Sequence, residues 1–380
     1  MSMGSAPQAK GDLAKEIVRK MRDAMAAERL DALLPMSPDN LAYTAGTVPP
    51  SLKTVRLRLA ACLVPQEGET EAVVVALEGP LMATQSRMAK TTTYREFAEN
   101  AVGKVASSLK QRGLDRGRIG VEETYLPVAF HRALQDSLPG AELVPADELL
   151  SEIRSLKSPR EIELIRDIGT AAQRIAESCA ARVQAGATEQ DLGGMIAEEY
   201  AAAGGDELTM LVVGSGERSA HPNAPPTDRV IESGDIVRLD IIGTKHNYYS
   251  DVARTAVVGE PTREQQEIYD LLLRVHEQSL EALRPGVQTS DVYRIYRDSM
   301  ERAGLPPYHF VGHGLGVTLH EEPFINEFKS VQIQENMVLC IEPLTMLEDR
   351  FGMQIEDEVV ITSDGYEPIT RAGAMLQIES

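Results

Sequence analysis

The sequence predicts two domains, an α/β unit over residues 1–157 followed by an α+β unit over residues 158–380. Three observations predict this. A chain of 380 residues exceeds one ordinary hydrophobic core. Short apolar strands alternate with helical periods up to about residue 150, the pattern of a small α/β domain. Beyond "SEIRSLKSPREIELIRDIG", paired helices alternate with strand-rich blocks, the pattern of helices on a largely antiparallel sheet.

The elements follow in order. "MSMGSAPQAKGD" has no hydrophobic signal core and reads as a disordered lead. Leu13, Ile17, Met21 and Met25 recur every fourth residue and mark a helix over 13–30. "DALLPM", "LAACLVP", "AVVVAL" and "RIGVEE" read as strands. "AENAVGKVASSLKQRG", closed by Gly113, and "PVAFHRALQDSLP" read as helices. Ser158, Pro159 and Glu161 form a helix-start signature for a helix over 159–184, with Ile162, Ile165, Ile168, Ala172 and Ile175 inward. Thr188, "TREQ" at 262–265 and "TSDVY" at 289–293 open three more helices. Between them lie "LTMLVVGSG", "DIVRLDIIGTKHNYYSDVARTAVVG", "NMVLCIEPLTM" and "FGMQIEDEVVIT", all strand-like. Two helices, a hairpin, two helices and a hairpin suggest a duplicated unit.

Composition narrows function. The net charge is −20, which disfavours nucleic-acid and membrane partners. No apolar run approaches the roughly 18 residues of a membrane span. Cys62, Cys179 and Cys340 form no CxxC pair and sit among apolar neighbours, as buried free thiols of a cytoplasmic protein would.

The chemistry sits in three stretches. Asp240 and Asp251 flank the turn "GTKHN" at near-equal distance, so antiparallel pairing is expected to set them across from each other on one face. Glu342 and Glu356 flank the turn "EDR" at 348–350 in the same way. Like charges opposed on a sheet repel unless cations lie between them. "GHGLGVTLHEEP" adds His313 and His320, two of only seven histidines. Four carboxylates and one imidazole balance two divalent cations. A hydroxide held between such ions is available near neutral pH. Oxygen-rich ligands with one imidazole favour Mn2+, with Co2+, Zn2+ or Fe2+ as alternatives. His246, His131 and His276 carry no motif, and Glu321 and Glu322 read as rim charge.

The order Asp240, Asp251, His313, Glu342, Glu356 resembles that of the pita-bread metallohydrolases: prolidase, aminopeptidase P, methionine aminopeptidase and the metal-free creatinase. "PTDRVIESGDIV", "YYSDVARTAVVG", "GHGLGVTLHEEPFI", "NMVLCIEP" and "IEDEVVIT" look like prolidase. "NLAYTAG", "IGVEETYLP" and "IRSLKSPREIELIR" extend the likeness through the first domain, so it covers nearly the whole chain. The resemblance implies a creatinase/prolidase-like N-terminal domain and a pita-bread catalytic domain. It implies an Xaa-Pro dipeptidase or aminopeptidase acting on small peptides through a metal-bound hydroxide. Asp251 and Glu356 would bridge two metals, Asp240 would bind one, and His313 and Glu342 the other. Glu342 would also shuttle the proton, and His320 would steady the tetrahedral intermediate or the leaving nitrogen. His221 and His309 match substrate-side histidines, and a homodimer through the N-terminal domain is expected. On that basis Arg56 and Arg58 could reach a partner's site, although surface charge is the plainer reading.

Four positions, in three motifs, depart from the family pattern. Gln354 stands where Arg is usual, Leu344 and Met346 replace the Gly and Tyr of "EPG-Y", and Ala253 replaces a Thr. Loss of the Arg is expected to remove a fixed cation. These changes keep open a hydrolase or lyase acting on a non-peptide small molecule, as in ectoine hydrolysis or sulfonium-acid cleavage. A non-catalytic binding protein on the same fold fits less well with an intact ligand set.

Overall fold

The computed structural model describes residues 6–55 and 58–380, in two compact units that divide after Arg154. The first unit runs α1 (Ala6–Glu28), β1 (Ala32–Leu34), α2 (Pro38–Ala45), β2 (Ala61–Pro65), β3 (Glu71–Val75), α3 (Gly79–Gln85), β4 (Lys90–Tyr94), α4 (Ala101–Gln111), β5 (Arg118–Val121), α5 (Val128–Ser137), β6 (Glu142–Pro145) and α6 (Asp147–Ser155). Its strands form one mixed sheet in the order β4-β3-β2-β1-β5-β6. Leu13, Ile17, Met21 and Met25 are all buried along α1. That helix begins at Ala6, so the expected disordered lead is wrong for residues 6–12; Pro7 is tolerated in a first turn, where its missing N–H would be unpaired anyway. Residues 1–5 and Arg56 lie outside the described residues. Arg58 is held by Glu96, its Nε 2.9 Å from Oε1.

The second unit runs α7 (Pro159–Arg182), α8 (Glu189–Ala202), β7 (Glu207–Ser215), β8 (Ile236–Lys245) and β9 (Tyr248–Val258). It continues through α9 (Arg263–Ala282), α10 (Thr289–Arg302), β10 (Phe310–Gly314), β11 (Glu321–Asn326), β12 (Val338–Ile341), β13 (Leu344–Leu347), β14 (Phe351–Gln354), β15 (Asp357–Ile361), β16 (Tyr366–Pro368) and β17 (Leu376–Ile378). Reciprocal capping boxes start α7, α8 and α9 at Ser158/Glu161, Thr188/Asp191 and Thr262/Gln265.

The duplication suggested by the sequence is visible in the backbone. Between α7 and α8, Gly186 takes φ +93° and donates to the Ile231 carbonyl, while the Ile231 N–H donates to Ala187. Between α9 and α10, Gly286 takes φ +92° and donates to Ile333, while Ile333 donates to Val287. Each helix pair thus leaves its turn through a left-handed residue that only glycine adopts without strain.

The sheet is not single, as expected, but divided. β17-β9-β8-β7 form one sheet, β11-β10-β12-β15-β16 a second, and β13-β14 a separate two-stranded ribbon. Helices α7 and α8 share a core with the first sheet, through residues such as Ile168, Ile175, Leu192, Leu239 and Val252. Helices α9 and α10 share one with the second, through Leu272, Val292, Val311, Leu339 and Val359.

The two hairpins keep different registers. His246 and Asn247, with φ +53° and +65°, make a two-residue turn between β8 and β9. Asp240 therefore pairs with Ala253, and Asp251 with Ile242. The expected direct opposition of the two aspartates is corrected to a diagonal offset of two residues, which still leaves them on one face. Glu342 and Glu356 do oppose each other, because β12–β15 and β13–β14 pair in one continuous register. Both glutamates lie in the break between those ladders. There the Glu342 N–H turns to Val311 of β10 and the Glu356 N–H to Ala253 of β9.

Helix α7 lies against β9, and a Cβ added at Gly169 would meet the buried Glu358 carboxylate at 2.1 Å. Gly169→Ala is expected to destabilise the protein by about 1–3 kcal/mol through overpacking, despite the alanine's higher helix propensity. Urea denaturation of the variant beside the wild type measures this.

Candidate metal centre

Five side chains from five places in the second unit converge. Asp240 comes from β8, Asp251 from β9, His313 from β10, and Glu342 and Glu356 from the break in the second hairpin. All five are buried, His313 completely. His313 Nε2 lies 3.3 Å from Glu342 Oε1, 3.4 Å from Asp251 Oδ2 and 3.8 Å from Glu356 Oε1. On the other side of the ring, Nδ1 lies 2.9 Å from the Gly314 carbonyl oxygen. A carbonyl only accepts, so Nδ1 carries a proton and Nε2 is the ring nitrogen that faces the cluster.

The electrostatics of the cluster are unfavourable without cations. Burial, then the neighbouring Asp251, raises Asp240 and Glu356 well above the usual carboxylate range. Burial likewise raises Glu342, although His313 partly opposes the shift. For His313, burial alone would lower the pKa, but Asp251 and Glu342 overcome it and raise the ring to about 10. Asp240 Oδ1, Asp251 Oδ1, Glu342 Oε1, Glu356 Oε1 and His313 Nε2 are all buried without a hydrogen-bond partner. Orphaned buried oxygens of this kind are costly in a folded chain. Oxygen-rich donors with one imidazole are what hard to borderline divalent cations bind, so the residues present fit such ions.

Other expected residues are less central. The His320 ring lies 4.0 Å from that of His313, centroid to centroid and tilted by 38°, with Phe310 and Phe324 beside it, and the residue is exposed. His221 is exposed at the end of the turn formed by Gly216–Ala220. His309 is four-fifths exposed, 3.5 Å from Glu327 and against Phe328, outside the cluster. Glu321 is not the rim charge it was expected to be: it is buried and paired with buried Lys157 at 2.9 Å. It also accepts from the Thr318 N–H, bracing the loop that carries His320.

The sequence reading missed two neighbours. Cys340, on β12 opposite His313, offers its Sγ within 4.8 Å of the ligand atoms of Asp251, His313 and Glu356. Its place two residues before Glu342 was the available signal. Buried Arg238, two residues before Asp240, was unmarked because a charged residue inside a strand pattern ordinarily faces water.

This two-hairpin centre defines a metallohydrolase class of site. Residues 163–363 match the family described as metallopeptidase family M24, and residues 18–156 match the creatinase/prolidase N-terminal domain. The chain belongs to metallopeptidase family M24, with the pita-bread catalytic fold. Among its relatives, a probable dipeptidase PepE from Mycobacterium tuberculosis is 36% identical over 253 residues, covering 63% of this chain and 67% of that protein. An Xaa-Pro dipeptidase from Pyrococcus horikoshii is 26% identical over 363 residues, covering 95% and 98%. The crystal structure of dipeptidase PepE from Mycobacterium ulcerans superposes with a TM-score of 0.84 at 28% identity, covering 97% of this chain and 99% of that one.

The raised acids carry a pH consequence. A folded metal-free chain that holds Asp240, Glu342 and Glu356 protonated binds more protons than the unfolded chain. Their contribution is fully present below about pH 4 and is lost as pH rises through the raised values. The metal-free protein is therefore expected to lose melting temperature between pH 5 and pH 7. Mn2+ added at pH 7 is expected to restore it and to release protons. Calorimetry in two buffers of different ionisation enthalpy counts those protons, and zero release contradicts the expectation.

Proposed function

We propose that this chain is a dinuclear Xaa-Pro metallopeptidase, a dipeptidase or aminopeptidase that hydrolyses the amide bond before proline in small peptides. One observation supports this above the others: each of the five side chains buries an oxygen or nitrogen without a hydrogen-bond partner among the described residues, and His313 Nε2 lies within 3.8 Å of Asp251, Glu342 and Glu356. The names of the relatives, dipeptidase and Xaa-Pro dipeptidase, support the substrate class.

In this reading Asp240, Asp251, His313, Glu342 and Glu356 would together hold the two ions. Bound there, divalent cations supply Lewis acidity and a water nucleophile ionised near neutral pH. Mn2+ is the first choice of metal. Hydrolysis adds the elements of water across the scissile bond, OH to the carbonyl carbon and H to the nitrogen. Glu342 takes up the water proton and passes it to the leaving nitrogen. His320, whose ring lies beside that of His313, donates a ring N–H toward developing negative charge. Lys157 and Glu321 hold its loop in place. His221 and His309 belong to the substrate side on the strength of the resemblance alone. A cytoplasmic homodimer completes the reading, and light scattering tests its stoichiometry.

The alternative of a non-peptide substrate drew on the missing cation at Gln354 and on the "EPLTM" segment with Leu344 and Met346. Arg238 stands directly behind Gln354, which weakens the first motive.

Mn2+-loaded protein is expected to release free amino acid from Ala-Pro or Leu-Pro. Glu342→Gln is expected to lower kcat by about 100-fold or more, and His320→Ala by about 100–1000-fold. Inert Xaa-Pro peptides across a panel, with a fully metal-loaded sample, would exclude the peptidase reading.

A further inference from the structure

Arg238 points from β8 on the same side as Asp240 and is only 1% exposed. A guanidinium so enclosed is costly unless its donors are satisfied. Here four of its five N–H donors are. Nε donates to the Ser219 carbonyl at 3.0 Å, Nη2 donates to the carbonyls of His221 and Pro222, and Nη1 donates to Gln354 Oε1 at 2.8 Å. Nη1, which carries the fifth, is also 3.9 Å from Asp240 Oδ2.

The contact with Gln354 has a directional result. Guanidinium can only donate, so the Gln354 oxygen faces Arg238 and its NH2 faces away. That NH2 lies 3.3 Å from Glu342 Oε2 and 3.2 Å from Glu356 Oε2. One oxygen of each glutamate is thereby engaged. The other oxygen of each, Oε1, is the one left without a hydrogen-bond partner and turned toward His313 Nε2. The Gln354 backbone is fixed as well, by paired hydrogen bonds with the Thr255 hydroxyl at 2.8 and 3.0 Å.

We propose that Arg238 and Gln354 form a single positioning unit, which sets the orientation of Glu342 and Glu356 and presents one oxygen of each to the bound cations. The same guanidinium ties this orientation to the Ser219–Pro222 turn, so the metal centre and the segment carrying His221 are held by one group. Neither residue is catalytic: Arg238 acts through Gln354, and Gln354 through the two glutamates. The proposal rests on the metal-binding reading above.

The test is a Mn2+ titration of metal-free protein by calorimetry, with bound metal counted by elemental analysis and a melting curve for each variant. Gln354→Met is expected to weaken Mn2+ binding by about 10–100-fold, the usual consequence of losing a partner behind a metal ligand. Arg238→Met is expected to do the same, and the double variant to be no weaker than the worse single variant, since the two act in series. Should Arg238→Met fail to fold, Gln354→Met and Gln354→Leu decide the question on their own. Mn2+ affinity unchanged in the Gln354 variants, with only the melting temperature lowered, overturns the positioning role and leaves the metallopeptidase reading intact. Losses that add in the double variant overturn the serial unit. A wild type that takes up no Mn2+ overturns both readings together.

Discussion

Four carboxylates enclosed around one imidazole form an arrangement that a folded chain does not hold for its own sake. Each buried acid raises the cost of ionising the next, and five ligand atoms have no hydrogen-bond partner. Stability alone would be better served by apolar residues of similar volume. Divalent cations, which the M24 family implies and these residues fit, would relieve the repulsion and link stability and chemistry through the same atoms. Much of the second unit is organised around bringing them together.

That organisation uses the duplicated helix–helix–hairpin unit. Each copy contributes one hairpin, and each hairpin brings two carboxylates, by different means. The first does it within a regular ladder, where a two-residue turn leaves Asp240 and Asp251 diagonal on one face. The second does it at a gap. Pro343 lacks an N–H to continue a ladder, and the chain leaves one sheet for a short ribbon between Ile341 and Leu344. The freed N–H groups of Glu342 and Glu356 are taken by neighbouring strands, which pins both glutamates beside the aspartates.

Much of this was legible in the sequence. Capping signatures at Ser158, Thr188 and Thr262 located helix starts, because the residues that cap also make the pattern. Spacing placed Glu342 opposite Glu356 because their turn is near-symmetric. It misplaced Asp240 against Asp251 because the true turn centre, between His246 and Asn247, depends on two positive φ angles that composition does not mark. The sheet division was hidden because strand patterns specify faces, not partners. Glu321 looked like rim charge because its partner, Lys157, lies 164 positions away. Burial of a charged residue depends on such long-range pairing, which local pattern cannot show.

Gln354 shows the same limit more sharply. Considered alone, it is a position where a cation has been lost. In the fold it is an amide whose oxygen is claimed by Arg238 and whose two hydrogens face two glutamates. A positive charge stands one layer back, on a different strand, and its influence reaches the carboxylates through a neutral group. A neutral intermediary changes the site's character. It fixes ligand orientation through hydrogen bonds without placing a full positive charge against the incoming cations, whereas an arginine at position 354 would compete with them electrostatically. A residue that looks like a defect at one position is thus, with Arg238, one half of a coupled pair spanning two strands.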